Sequence, residues 1–343
     1  MTSLMLAEAR EAPACVEAAL REDTGLYAAL GRMLRERPPG FAATVARGSS
    51  DHAATYAASL FGIAAGRATA TLAPSLVTRY GAALGLQGAL VLGLSQSGAS
   101  PDLVAVMAAA RRAGALTLAV VNADGSPLAR EAQWEVPQRA GPERAVAATK
   151  SFVMTMVAVA RLVAAWVEDA QLAAAMDRLP GRLDAALACD WSAALPLLSG
   201  PLAGGLYVTG RGVGLGVAQE AALKLKETSR LHAEAVSAAE MQHGPRAVVG
   251  AGFPVLAFGL DDPGGADVRA LATELDTLGA TVLLAAPRPG GAGLHLPLPP
   301  PLHPLLDPIP AILAFYPFVE ALARMGGLDP DRPRGLRKVT ETV

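Results

Sequence analysis

The densest group of ionisable side chains lies in the segment QEAALKLKETSRLHAEAVSAAEMQHGP, residues 219–245. Its first half places Glu220, Lys224 and Glu227 at i, i+4 and i+7, so the three share one face of a predicted helix. A ladder of surface ion pairs has the same spacing, and each such pair contributes only about 0.3–0.5 kcal/mol. Spacing alone therefore leaves open whether this helix face carries out chemistry or is a solvated surface.

The second half of the segment favours chemistry. Two histidines and two glutamates lie among small apolar residues and lead into a Gly-Pro break, which a helix face would not do: His232, Glu234, Glu240 and His243. Acid–base catalysis on a sugar requires a carboxylate and an imidazole that titrate near neutrality. A metal site is the weaker alternative, because the two histidines are eleven residues apart and no H-x-x-x-H pair occurs. We expect no metal.

Serine-rich turns follow two predicted strands. LSQSGAS, residues 94–100, ends one apolar run, and ARGSSDHAATY places Ser49 and Ser50 after another. The free N–H groups and the dipole of the helix that follows can hold a phosphate, and serine hydroxyls can donate further hydrogen bonds. Taken alone, the first turn fits a serine-capped helix start equally well, and the second is most often an N-cap, with Ser50 or Asp51 in that role. Because carboxyl ends of parallel strands meet at one sheet edge, the two turns together favour an oxyanion site.

Two other motifs are incomplete, because each lacks a glycine that it requires. A nucleophile elbow, G-x-S-x-G, would need glycine at position 97, which is serine. GRGVGLG at 210–216 places Leu215 or Val217 where the dinucleotide fingerprint needs its last glycine. We therefore expect neither a serine hydrolase nor a nicotinamide enzyme, and no cofactor.

The elements that position these residues follow an α/β pattern with an internal repeat. Four short apolar runs alternate with helical patterns in each half, which is typical of parallel sheets covered by helices on both faces. Gly48 and Ser95 are 47 residues apart, as are Gly212 and Gly259. We predict two tandem flavodoxin-like, doubly wound α/β domains. Their bounds are a helical segment at 1–25, domains at 26–170 and 201–330, a helical linker at 171–200 and a tail at 331–343.

Composition and charge limit the class of protein. The formal net charge of −2 provides no basic surface for nucleic acid. Two cysteines, Cys15 and Cys189, are too few for a disulfide framework and fit a reducing compartment. The N-terminus is charged, and no later stretch reaches the roughly 18 uncharged apolar residues of a membrane span. We expect a cytoplasmic protein that binds neither nucleic acid nor membrane.

The chain also contains ARGSS, LSQSGASPD, AVAATKSF at 145–152 and EAALKLKETSRLHAEAVSAAEMQHGP. Together these segments resemble the sugar isomerase (SIS) family, in particular the isomerase half of glucosamine-6-phosphate synthase, over nearly the whole chain as two SIS domains. The resemblance implies a sugar-contacting segment around Val146, Ala148 and Thr149, in which Ala148 replaces the family's usual serine. It also implies phosphate-binding positions, which are Ser50, Ser95, Gln96, Ser97 and Ser100.

The resemblance further implies roles for four ionisable residues. Glu227 matches the base that moves a proton between C1 and C2 of the sugar, and Lys224 matches a lysine that supports this base. His243 matches a ring-opening histidine that the family takes from the partner subunit, which implies a homodimer. Lys338 matches a lysine that forms a Schiff base with the ketose.

These roles imply an enzyme that acts on a small phosphosugar. We expect no counterpart of the family's glutaminase half, since Thr2 follows Met1 where the family has a nucleophilic cysteine. The expected reaction is that of a stand-alone glucosamine-6-phosphate deaminase, in which glucosamine 6-phosphate and water give fructose 6-phosphate and ammonia. Open alternatives are galactosamine 6-phosphate as substrate, a fructosamine 6-phosphate deglycase, a plain aldose/ketose isomerase and a non-catalytic phosphosugar sensor. A sensor would have little reason to keep all four ionisable residues.

Overall fold

The structure is a computed structural model that describes residues 2–199 and 204–338. The chain folds as two compact units. The first unit holds the first repeat and consists of Ala14–Glu143, Lys150–Asp177 and Arg337–Val343. The second unit consists of Met1–Pro13, Arg144–Thr149 and Arg178–Leu336. Each unit therefore combines one repeat with segments from other parts of the chain.

The first unit is built on a parallel five-stranded sheet. Its strands are β1 (Ala42–Val45), β2 (Thr69–Thr71), β3 (Leu90–Ser95), β4 (Leu116–Val121) and β5 (Trp134–Pro137), in the order β2-β1-β3-β4-β5. The helices up to the end of this repeat are α1 (Leu4–Arg21), α2 (Thr24–Glu36), α3 (Ser49–Ala65), α4 (Ser75–Thr78), α5 (Pro101–Arg112), α6 (Pro127–Glu131), α7 (Lys150–Val167) and α8 (Ala170–Met176). The strand order reverses between β1 and β3, which is where such sheets open a crevice for ligands.

The second unit repeats this topology, with strands in the order β10-β9-β8-β6-β7. The strands are β6 (Leu206–Gly210), β7 (Ala233–Ser237), β8 (Pro254–Phe258), β9 (Thr281–Ala286) and β10 (Leu294–Pro297). The helices are α9 (Leu179–Leu187), α10 (Leu195–Leu198), α11 (Leu215–Ser229), α12 (Pro263–Thr277) and α13 (Pro308–Met325). The first and third strands of each repeat begin 48 residues apart, at Ala42 and Leu90 and at Leu206 and Pro254. The predicted fold of two parallel α/β domains is confirmed.

Each sheet has one strand more than the four that the sequence pattern predicts. The additional strands, β2 and β7, take equivalent places, each at the outer side of the first strand of its repeat. β2 is three residues long and mostly exposed, and β7 exposes Glu234 and has no continuous apolar run. A strand that pairs on one side only needs little apolar surface, so the pattern of a buried strand is missing from both.

Helix α7 is the apolar centre of the first unit. It is long and apolar enough to cross a membrane, but 89% of it is buried inside the structure, as expected for a core helix. Its Arg161 is buried with it and donates to the backbone carbonyls of Ala19 and Glu22 at 2.7 and 2.6 Å. The guanidinium also lies 4.0 Å from the ring centre of Tyr27. These contacts satisfy a cation that would otherwise be costly to bury.

Candidate functional site

The serine-rich turn after β3 lies at the edge where the strand order of the first sheet reverses. The buried Ser95 hydroxyl accepts the Gly98 N–H at 3.0 Å, and the Ser97 hydroxyl accepts the Ala99 N–H at 3.3 Å. Gly98 has φ +60°, and a Cβ there would overlap the side chain of Ser126. The turn therefore depends on two of its own serines and on a glycine for its shape.

The serines next to the two helix starts are not used as side-chain caps. Ser100 occupies the N-cap position of α5, and among the residues that the structure describes no N–H caps onto its hydroxyl. In the neighbouring turn the N-cap of α3 is Gly48, with φ +55°, and Ser50 lies within the first helical turn. The N-cap alternative is thus wrong for Ser50 and Asp51. Neither helix start is therefore closed by the side chain of its N-cap residue.

A cation lies beside this turn although none is adjacent in sequence. Arg47, just after β1, donates from Nε and Nη2 to Oδ2 of Asp102 at 3.1 and 2.9 Å. Asp102 is buried in the first turn of α5, whereas the Arg47 side chain is 53% exposed. The pair joins the two serine turns and places a half-exposed guanidinium, neutralised by Asp102, at this edge. Sequence inspection missed Arg47 because its partner is 55 residues away.

The equivalent edge of the second sheet has different chemistry. Helix α12 follows β8 as α5 follows β3, but its N-cap is Asp262, whose carboxylate accepts the Gly265 N–H at 2.8 Å. Asp261 precedes it, in place of the hydroxyls of the first repeat. The α12 N-terminus is thus capped by a carboxylate. In α5 the Asp102 carboxylate also accepts an N–H, that of Leu103 at 2.9 Å, but it is paired with Arg47.

Helix α11 buries a lysine between two carboxylates. Lys224 Nζ donates to Glu227 Oε2 at 2.5 Å and lies 3.2 Å from Glu220 Oε1. The side chains of Lys224 and Glu220 are fully buried, and that of Glu227 is 19% exposed. Burial alone would lower the pKa of Lys224, but the two carboxylates outweigh it and hold that pKa well above its ordinary value. The alternative of a surface ion-pair ladder is wrong, and Glu227 is the one accessible carboxylate beside a fixed cation.

Glu227 and His243 lie at opposite ends of strand β7. Helix α11 joins the parallel strands β6 and β7, so its last turn, with Glu227, lies near their amino ends. His243 is exposed and follows β7 at its carboxyl end, beyond a five-residue strand with a rise of about 3.3 Å per residue. A single chain therefore does not bring the predicted base and the predicted ring-opening histidine together.

The segment with Val146 and Ala148 is fixed by backbone hydrogen bonds within the second unit. Glu8 on α1 accepts the N–H groups of Arg144 and Ala145, and the Val146 N–H donates to the carbonyl of Asp331 at 3.1 Å. Val146 and Ala148 are half-buried, while the residues between and beside them are buried. The segment therefore presents these two side chains from a rigid backbone.

Lys338 is the last residue that the structure describes; positions 339–343 of the predicted tail lie outside the described residues, as do positions 1 and 200–203. Its Nζ donates to Glu143 Oε2 at 2.8 Å. Glu143 is buried and belongs with Lys338 to the first unit. Sequence inspection missed Glu143, although it lies three positions before the predicted sugar-contacting segment.

Comparison with known proteins decides the family. The SIS-domain model matches residues 42–165 and 203–286, more than half of the chain and once in each repeat. The chain belongs to the SIS family. The family resemblance stated from the sequence motifs is thereby confirmed.

Two relatives of this SIS protein show which part of a longer protein its repeats match. The glutamine–fructose-6-phosphate aminotransferase (isomerizing) of Aeropyrum pernix is 39% identical over 272 residues, which are 74% of this chain and 43% of the relative. The protein of the same name from Methanothermobacter thermautotrophicus is 32% identical over 97% of this chain and 56% of its own. The chain thus spans about half the length of the curated relatives it matches, and it is homologous to their isomerase part.

A solved structure covers the SIS protein almost completely. It is that of a protein from Silicibacter pomeroyi DSS-3 whose assignment as a phosphosugar isomerase is provisional. The two share 42% sequence identity and a TM-score of 0.89, over 96% of this chain and all of the other. The similarity therefore extends to both SIS repeats.

The predicted site residues of the SIS protein divide between its two units. The first unit holds the five predicted phosphate-binding residues and Lys338. Of these, Gln96 has its backbone carbonyl engaged, since it accepts the Asn122 N–H at 3.1 Å. The second unit holds the remaining predicted residues, which are Val146, Ala148, Lys224, Glu227 and His243.

Removal of one serine hydroxyl tests the phosphate turn. We expect Ser97→Ala to raise KM for a phosphosugar about tenfold or more with a smaller change in kcat, because a hydrogen bond to a charged group contributes about 1.5–3 kcal/mol. Steady-state kinetics and direct binding of the phosphosugar measure this. Ser75→Ala, at the start of α4 in the same unit, is the control and should change neither quantity. An unchanged KM for Ser97→Ala would remove this turn as the anchor.

Proposed function

We propose that this protein is an amino-sugar phosphate isomerase that works as a deaminase, converting glucosamine 6-phosphate and water to fructose 6-phosphate and ammonia. The observation that carries the proposal is the α11 cluster, in which the fully buried Lys224 holds Glu227 as a partly exposed carboxylate. A carboxylate that is fixed and reachable is the group that a proton transfer between adjacent carbons requires. A protein that only bound phosphosugars would gain nothing from burying two charges to hold a third.

The proposed chemistry begins on the open-chain amino-aldose. Glu227 removes the proton from C2 while the C1 carbonyl oxygen gains a proton, which produces an enolamine. Glu227 then returns its proton to C1 and the nitrogen loses one, which replaces the proton taken up at O1 and leaves an imine at C2. Hydrolysis of this imine by water gives the ketose and ammonia. Lys224 stays charged throughout, because the two carboxylates hold its pKa well above the ordinary value, and its hydrogen bond keeps Glu227 in position to accept and release the proton.

The other residues have binding and ring-opening roles in this proposal. The serine turn and the N-termini of α3 and α5 hold the phosphate, which is remote from the reacting carbons. His243 opens the sugar ring and acts from the partner subunit of a homodimer, in keeping with its separation from Glu227 along β7. Lys338 forms a Schiff base with the ketose. We place the enzyme in the cytoplasm, where its two free cysteines remain reduced.

The relatives support the class of substrate. The protein from Aeropyrum pernix is named for fructose 6-phosphate and for an isomerising amination, and this chain matches its isomerase part. Amination would need a nitrogen donor in addition to the sugar. Deamination needs only the phosphosugar and water, and the groups for it are those that the two SIS repeats contain.

Ammonia release tests the proposal directly. Purified protein is given glucosamine 6-phosphate, galactosamine 6-phosphate or fructosamine 6-phosphate in parallel, with ammonia measured by a coupled enzyme and Glu227→Gln protein as the blank. We expect rapid release from glucosamine 6-phosphate only. Release from one of the others would reassign the sugar. No release, with interconversion of ketose and aldose phosphates, would make the protein a plain isomerase, and binding without turnover would make it a sensor.

A further inference from the structure

Glu143 is a buried carboxylate that the reaction described so far does not use. Its side chain is fully buried in the first unit. Oε1 accepts the N–H of Ser151 at 3.1 Å, and Oε2 accepts the Ser151 hydroxyl at 2.6 Å and the Lys338 ammonium at 2.8 Å. A buried carboxylate is costly unless such donors satisfy it, so these contacts fix its position.

Its lysine partner is open to solvent. The Lys338 side chain is 24% exposed, and it comes to the carboxylate from a position 195 residues further along the chain. A carbonyl compound can therefore approach the amine from outside while Glu143 contacts the same nitrogen from the interior of the unit.

Condensation of a lysine with a carbonyl requires that the ammonium first lose a proton. Only the neutral amine has the lone pair that attacks carbon. A lysine with the ordinary pKa of about 10.4 is neutral in roughly one molecule in 2,500 at pH 7. A proton acceptor at hydrogen-bond distance can take the proton at the moment when the amine attacks, and Glu143 is at that distance.

We infer that Glu143 is the catalytic acid and base of Schiff-base formation at Lys338, an inference that rests on the proposed function. The Lys338 ammonium gives one proton to Glu143, and the neutral amine adds to C2 of the ketose. Proton transfer from nitrogen to the former carbonyl oxygen completes the carbinolamine. Glu143 then returns its proton to that hydroxyl, which leaves as water, while the nitrogen lone pair forms the C=N bond. One ammonium and one ketone become one iminium and one water, and Glu143 ends as a carboxylate beside the iminium.

Other groups near the pair have different roles. Ser151 holds the carboxylate but has no charge, so it is a positioning residue. Lys150 precedes it at the start of α7 and is buried as well, whereas Arg144 and Arg337 adjoin Glu143 and Lys338 in sequence and are exposed. Lys150 is therefore the second amine that an experiment has to distinguish from Lys338.

The test is reductive trapping of the iminium as a function of pH. Full-length protein is incubated with fructose 6-phosphate and sodium cyanoborohydride from pH 6.5 to 10, and the modified lysine is identified by peptide mass spectrometry. We expect the native protein to trap the ketose on Lys338 at pH 7. Glu143→Gln should trap it about 100-fold more slowly at pH 7 and recover toward the native rate at alkaline pH, where base from the solvent replaces the missing carboxylate.

Three further variants separate proton transfer from structure. Lys338→Met should abolish the adduct, and Ser151→Ala should leave the pH dependence as in the native protein because the carboxylate remains. Glu131→Gln, in the same unit, is the matched control and should trap normally. If Glu143→Gln does not fold, Glu143→Asp takes its place: it keeps a carboxylate and should trap more slowly with the native pH dependence. A requirement for alkaline pH in Glu143→Asp would overturn the inference.

The outcomes also separate this inference from the proposed function. Equal loss of trapping by Glu143→Gln at every pH, or no loss at all, would overturn the role of Glu143. Ammonia release without any adduct on Lys338 would also overturn it and would leave the deaminase proposal standing. Failure of both ammonia release and trapping would reject the two together.

Discussion

Replacement of Glu227 by glutamine is expected to lower kcat by about 10²–10⁴-fold while phosphosugar affinity changes little. Glutamine keeps the size of the side chain and an oxygen that can accept the Lys224 hydrogen bond, now 2.5 Å long. It cannot accept the C2 proton. The phosphate is held by other residues, so the loss should appear in turnover and not in binding.

Two measurements check this expectation. Ammonia release from glucosamine 6-phosphate gives kcat, and incorporation of solvent deuterium at C1 of the product reports the proton transfer itself. Glu234→Gln is the matched control, since that carboxylate is exposed on β7 and should be dispensable. Turnover within a few-fold of the native rate in Glu227→Gln would remove Glu227 as the base and with it the main support for the proposed function.

Replacement of Lys224 by methionine should lower the free energy of unfolding by about 3–5 kcal/mol. The change removes the cation from beside the fully buried Glu220, and loss of one member of a buried ion pair is among the costliest changes in a protein interior. Lys226→Met is the control on the same helix; its side chain is exposed, so a change within about 0.5 kcal/mol is expected. Urea denaturation of the purified variants measures both.

A double variant identifies the cause of that loss. Glu220→Gln combined with Lys224→Met removes the orphaned charge, so it should recover about 0.5–3 kcal/mol relative to Lys224→Met alone. The recovered protein should still be slow in turnover, because Glu227 no longer has its cation. If the double variant were less stable than Lys224→Met, the loss would come from packing and not from an unpaired carboxylate.

Much of the fold follows from local sequence patterns, because the central strands are continuous apolar runs and the helices between them have clear periodicity. The internal repeat was predicted from equal spacings within the two halves. In the structure the first and third strands of each repeat begin 48 residues apart, which confirms it. β2 and β7 could not be predicted in this way. They pair on one side only, so what places them is their neighbour in the sheet and not a hydrophobic pattern of their own.

The candidate site, like the fold, could be predicted from the sequence only in part. Helical spacing was enough to group Lys224 with two glutamates, but only the structure shows that the cluster is buried. Contacts between distant positions have no local signal: the Lys338–Glu143 pair joins residues 195 positions apart, and Arg47 reaches Asp102 across 55. Motif resemblance named Lys338, yet neither spacing nor motif indicated the carboxylate that contacts it.

The Asp262 cap on α12 makes the two repeats different at equivalent positions. A duplicated fold begins with two equivalent edges, each able to receive an anion. In this chain the N-cap of α12 is a carboxylate, Asp262, which accepts the Gly265 N–H, whereas the corresponding N-cap Ser100 is neutral and the carboxylate next to it in α5, Asp102, is paired with Arg47. The two equivalent edges therefore differ in charge at the N-termini of α5 and α12, although their strands follow the same order.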